Sequence, residues 1–150
     1  MISATLPKGL PRFKLRKDII ARILNDMADT AVNTIYNDTQ NGKDINGKQF
    51  KKLKLSTAQD KKTKGQSVKP LIATGLMSRV HRSKSANAAS LQSEVTVAKA
   101  RDDIAEFHNA GEGNLPKREF FGVGKSLESK LEKVVKLRLE KIIKTTWRKK

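Results

Sequence analysis

Two long runs of apolar residues at helical spacing, one near each end of the chain, limit the folds open to it more than any other feature. In residues 15–36, Leu15, Ile19, Ile20, Ile23, Leu24, Met27, Ala28, Ala31, Val32 and Ile35 recur in pairs about four residues apart. That spacing overshoots the turn of an α-helix, so the stripe winds slowly around the axis and meets partners on more than one side. Such a helix suits a core or a subunit interface. A helix-turn-helix is disfavoured, because 15–36 contains no glycine turn and no second amphipathic helix follows closely. In residues 126–144, Leu127, Leu131, Val134, Val135, Leu139 and Ile142 form the second stripe, with Ser126 as N-cap and Glu128 in the first turn.

Between these helices the chain changes character. Asn41-Gly42 and Asn46-Gly47 mark turns, and the lysine-rich segment that follows has only Phe50, Leu53 and Leu55 as apolar anchors. Ser56 with Gln59 reads as a capping box opening a helix of about two turns that Gly65 ends. Residues 41–70 are expected to be mobile in the isolated protein. Residues 76–82 and 91–98 read as the strands of a hairpin, with Leu91, Val95 and Val97 on one face and the small polar run "SKSANAAS" as a flexible connector. A short helix follows Arg101, with Asp102 or Asp103 at its start and Gly111 in the left-handed position after its last turn. The expected class is α+β in one domain of 150 residues: a long N-terminal helix, a small antiparallel hairpin, a short helix and a long C-terminal helix with a basic tail at 145–150.

Charge is the second constraint. Thirty-two basic against fifteen acidic residues leave a formal +17. Residues 41–90 carry twelve basic and two acidic groups, net +10, and residues 125–150 carry ten and three, net +7. Residues 91–124, with four and six, are net −2. Such a field favours a polyanionic partner, nucleic acid or an acidic protein surface. Lys51, Lys52, Lys54, Lys61, Lys62 and Lys64 are the side chains to face it, and they read as solvated. Single-strand binders interleave stacking aromatics with such cations, and here Phe50 and Trp147 are the only ones near the two basic segments. DNA contact is therefore expected to be non-specific and salt-dependent.

Most catalytic chemistry lacks its residues. There is no cysteine, and two histidines, His81 and His108, do not make a multi-histidine metal site. "GVGKS", Gly122 to Ser126, resembles a phosphate loop, but the position of the loop's first glycine is Glu119, so it reads as a turn into a capped helix. His108 reads as a helix-end histidine donating to a nearby carbonyl, since Glu106 does not share its face and no serine nucleophile is in view. No cofactor and no catalytic residue is expected. The start "MISATLPKGLPRFK" is broken by Pro7, Gly9 and Pro11 before an apolar run forms, and no membrane span is expected, which places the chain in the cytoplasm where it is made.

The stretch "EFHNAGEGNLPKREFFG", Glu106 to Gly122, reads as architecture: Pro116 fixes a turn, Arg118 beside Glu119 offers a bidentate pair, and Phe120 and Phe121 point to opposite sides. It also carries a resemblance. A serine- and threonine-bearing lysine segment spans Ser56–Lys64, and "L-x-x-T-G-x-L" follows at Leu71, Thr74, Gly75 and Leu76. "A-x-x-H-x-x-G" falls at Ala105, His108 and Gly111, and "P-x-R-x-F-x-G" at Pro116, Arg118, Phe120 and Gly122. In this order they resemble the phage virion morphogenesis family, the tail completion proteins of Mu-type and related tailed bacteriophages. The resemblance implies a non-enzymatic neck protein that closes the head-proximal end of the tail tube and enables head–tail joining. It implies a homo-oligomeric ring, six copies like the tail itself. Its partners would be itself, the tail tube protein and head-side connector proteins, with genomic DNA in the bore. Residence would be in the virion after assembly in the host cytoplasm. The resemblance makes Leu71, Thr74, Gly75, Leu76, His108, Gly111, Pro116, Arg118, Phe120, Phe121 and Gly122 structural or interface residues.

Overall fold

In the computed structural model, residues 15–72, 79–98 and 102–147 are described. Thr74, Gly75 and Leu76, the start of the expected first strand and the end of the basic tail lie outside the described residues. The order is α1 (Lys17–Gln40), α2 (Leu55–Thr63), β1 (Val80–Lys84), β2 (Glu94–Val97), α3 (Asp102–Ala110) and α4 (Lys125–Trp147). This is the expected α+β arrangement of two long helices, two short ones and an antiparallel hairpin.

The two apolar stripes meet. Helices α1 and α4 run antiparallel, with Ile35 in one cluster with Leu127 and, further along, Arg138 Nε paired to Asp26 at 2.7 Å. Helix α1 runs past the last apolar pair to Gln40, because Thr39, 1% exposed, gives the final turn a buried residue. Asn41-Gly42 then stops it: Asn41 N–H donates to Asn37 O at 3.0 Å, and Gly42 takes φ +71°.

Val80 faces Val97 across the hairpin, and Arg82 faces Val95, so one face lies against α1. The register shifts between Arg82 and Lys84. Strand β1 runs on to Lys84, two residues past the expected end, while β2 is shorter than expected, with Leu91 exposed before it begins. The connector is tied to α1 at Ala86, whose N–H donates to Asn25 Oδ1 at 2.8 Å while Asn25 Nδ2 donates to Ala86 O at 3.0 Å. An amide side chain has both a donor and an acceptor and so satisfies a whole peptide unit.

Two helix starts differ from expectation. Helix α2 opens at Leu55 after Lys54, so Ser56 is inside the first turn and caps nothing. Its end is as expected: Gly65 takes φ +64° and Gln66 N–H returns to Lys61 O. Helix α4 opens at Lys125, with Glu128 N–H donating to Gly124 O at 2.9 Å, so Ser126 lies two positions past the capping residue.

The core is thin and aliphatic apart from its phenylalanines. Ile35, Val80 and Leu127 form one cluster; Phe50, Val97, Ala105 and Phe120 form the other; Phe121 packs against both.

Candidate functional site: the joint between α3 and α4

Residues 105–124 build a joint that the rest of the chain closes around. Helix α3 ends at Gly111, which takes φ +73° and whose N–H donates to Phe107 O at 2.9 Å. A side chain there is excluded twice, by backbone conformation and by space, since an added Cβ would lie 2.7 Å from Lys117 Cβ. The chain loops back through Pro116 and runs extended beside the helix end it has just left. Arg118 N–H donates to His108 O at 2.8 Å.

Asn109 locks this return. Its Oδ1 accepts from Phe120 N–H at 3.0 Å and Phe121 N–H at 3.2 Å, and its Nδ2 donates to Phe121 O at 2.6 Å. A third segment joins from the other side. Ile45 N–H donates to Glu119 O at 2.8 Å, and the Ile45 carbonyl lies so close to Gly124 that an added Cβ would collide with it. The tight turn at residues 42–50 is therefore part of the joint, held in shape by Phe50 N–H to Gly42 O at 2.7 Å.

Alternation along the extended segment decides what each side chain does. Lys117 and Glu119 point outward and pair with each other at 2.7 Å, whereas Arg118, 4% exposed, and Phe120, 2% exposed, point inward. The expected Arg118–Glu119 pair is thus corrected: sequence neighbours in an extended strand face opposite ways. Arg118 Nη2 instead donates to Lys51 O at 3.1 Å, and its Nε is buried with no partner among the described residues. Phe120 anchors one core cluster, and Phe121, half-buried, bridges both within the same chain.

His108 is also corrected. Its Nδ1 is buried with no hydrogen-bond partner among the described residues, so it donates to none of their carbonyls. Burial first, and the Arg118 cation second, hold its pKa below the ordinary 6.5. Burial lowers Arg118 as well. Lys61 is lowered by burial and then by Arg118, and its Nζ donates to Lys69 O at 2.9 Å and Ile72 O at 3.1 Å. Lys61 is therefore a structural strut, unlike Lys51, Lys52, Lys54, Lys62 and Lys64, which are exposed.

Leu71, Ala105 and Phe120, one member from each of three sequence motifs, meet in a single cluster with Phe50. Gly124 is legible as part of the turn into the last helix, but its contact with Ile45 is not, and Asn109 and Ile45 are not legible as members of the joint. An asparagine two residues before a helix-ending glycine is the sole trace of it in the sequence, and it does not reveal which strand the amide stitches. Among the described residues no group of three or more His, Cys, Asp or Glu stands where it could hold a metal ion. The joint holds backbone in place; its cations lie against carbonyls and one another. Comparisons with protein-family models, with curated proteins and with solved structures found no match.

Proposed function

We propose that this chain is a non-enzymatic structural subunit of a bacteriophage neck, which completes the head-proximal end of the tail tube as a ring and enables joining to the head. The observation that carries the reading is the ordered motif series together with its convergence. Leu71, Ala105 and Phe120 pack in one cluster, and the His108 carbonyl accepts from Arg118 N–H at 2.8 Å. Residues spread over fifty positions of sequence serve a joint, which is the use a structural protein makes of them. No helix among the described residues is long and apolar enough to cross a membrane, and virion residence is part of the proposal.

The test is electron microscopy and native mass measurement of the protein on tails of the phage that encodes it. Several copies in a ring at the head-proximal end is the expected result. Particles without the protein, or a single copy at the neck, would overturn it.

A second reading, a free non-specific nucleic-acid-binding protein, is favoured by one observation: Lys51, Lys52, Lys54, Lys62 and Lys64 are exposed together around α2. Gel-shift titration against duplex DNA across salt separates the two. Tight, steeply salt-dependent binding with no tail association supports this reading; no binding at low salt removes it.

A further inference from the structure

Helix α2 has no buried residue, and Leu55 at its start is 83% exposed. Nine residues is well under the roughly 12–15 at which even good isolated helices become marginal, so such a helix gains from a partner. On another face of the molecule lies an open groove of about 600 Å³ between α1 and α4. Its floor is apolar, formed by Met27, Leu131, Val135, Leu139 and Ile143. Val123, 70% exposed, stands at one end of it. Its described rim carries Glu128, Glu132 and Glu140 against Lys136, so a chain of net +17 presents here a locally acidic surface.

The two features are complementary in charge as well as in polarity. Residues 51–64 carry six lysines and one aspartate, Asp60, which is itself paired to Lys64 at 2.8 Å. A leucine flanked by exposed lysines is what an apolar floor with a glutamate rim accepts, the lysine stems lying over the apolar lip and the ammonium groups reaching the carboxylates. Within one copy they stay apart, Leu55 being 83% exposed and no residue of α2 lining the groove. The α2 segment is tied near the C-terminal end of α1, through Lys69 Nζ to Gln40 O at 3.2 Å and Lys61 Nζ to Lys69 O at 2.9 Å.

We infer that the α1–α4 groove is the seat for α2 of a second copy of this chain, Leu55 entering the groove and Lys52 and Lys54 meeting the Glu128–Glu132 rim. Knob and groove lie on different parts of the surface, so the contact is head-to-tail, the kind that closes into a ring when its rotation allows. The inference rests on the ring reading and supplies its contact.

The absence of cysteine makes the test direct. Leu55→Cys and Glu132→Cys, both at exposed positions, are made as separate proteins, mixed and oxidised. The expected result is a disulfide-linked heterodimer in the mixture, and a ladder of linked multimers from the protein carrying both changes. Charge reversal Glu128→Lys in the Glu132→Cys protein abolishes the link, and Lys52→Glu with Lys54→Glu in the Leu55→Cys partner restores it. A mixture giving only like-with-like dimers overturns the inference. So does a link that forms only once residues 1–14, with Leu6, Leu10 and Phe13 among basic residues, are deleted, because the groove's occupant is then the chain's own N-terminal segment. Multimers on tails with no Leu55–Glu132 link would sink this contact and leave the ring; no multimers on tails at all would sink the ring itself.

Discussion

Arg118 is a buried cation whose partners among the described residues are carbonyl oxygen and other cations, and its neighbours show the cost. His108 sits beside it, held below its ordinary 6.5 by burial and then by that charge. A histidine with a depressed folded pKa contributes stability fully present above the unfolded value; it is lost as pH falls through 6.5 toward the lower folded value, because the unfolded chain takes the proton more readily. Thermal unfolding should therefore show Tm falling as pH drops from about 7 through 6.5, and His108→Gln should flatten that slope. An unchanged slope in the variant would assign it elsewhere. Arg118→Met keeps the bulk and removes the charge, so the His108 imidazole, followed by NMR, should titrate at higher pH than in the parent. Because a buried charge without a counter-ion is costly, Arg118→Met should unfold at or above the parent temperature, whereas Arg118→Ala leaves a cavity and should cost about 2–4 kcal/mol. Loss of tail joining in Arg118→Ala alone would thus report folding; the Met variant is the informative one. Asn109 works through hydrogen bonds to two residues of the return strand. Asn109→Ala strands three part-buried backbone groups and should cost about 2–4 kcal/mol in denaturant unfolding, where an exposed-asparagine role predicts almost nothing.

At the scale of elements, the joint depends on the turn at 42–50 lying flat against the entry to α4. Gly124→Ala should therefore be among the most damaging small changes in the chain, costing about 2–4 kcal/mol, because the new Cβ meets the Ile45 carbonyl and one of the two segments must move. Gly47→Ala is the informative comparison: its φ of +81° imposes backbone strain, yet nothing lies within 4 Å of the added atom. A smaller loss at Gly124 than at Gly47 would show the contact to be unimportant. Which elements were legible follows from the range of the forces behind them. Helices α1 and α4 declare themselves because their stripes repeat over many turns, and Gly65 and Gly111 mark helix ends because left-handed backbone favours glycine. The apolar stripe of α1 ends at Ile35, and the one buried residue of its last turn before Gln40 is polar, Thr39, which no apolar pattern reveals. Ser56 and Ser126 had the chemistry of caps but not the position, since Lys54 and Gly124 are where the backbone enters the helices. In the joint, His108, Gly111, Arg118 and Phe120 were legible as residues. The partners of Arg118 were not, because Lys51 is 67 positions away and adjacency pointed to Glu119.

For the whole molecule, charge acts on folding and on association with opposite signs. The +17 is what remains after every acidic residue is counted, and the pairs Lys64–Asp60, Lys84–Glu94, Lys117–Glu119 and Arg138–Asp26 are all solvent-accessible, where an ion pair is worth at most about 1 kcal/mol. Self-repulsion therefore opposes the compact state, and salt relieves it, the screening length shrinking from roughly 30 Å near 0.01 M to about 8 Å near 0.15 M. Monomer Tm should rise over that range, measured on Glu132→Lys at low concentration so that association does not contribute. Contact between the α2 lysines and the glutamate rim draws on the same charges with attraction in place of repulsion, so sedimentation of the parent should show weaker association over the same range. Two curves of opposite slope separate a basic protein that merely tolerates its charge from one that uses it to choose a partner. Association that strengthens with salt would mean that the apolar floor alone drives it, and the glutamates at its edge would then have no part in selecting α2.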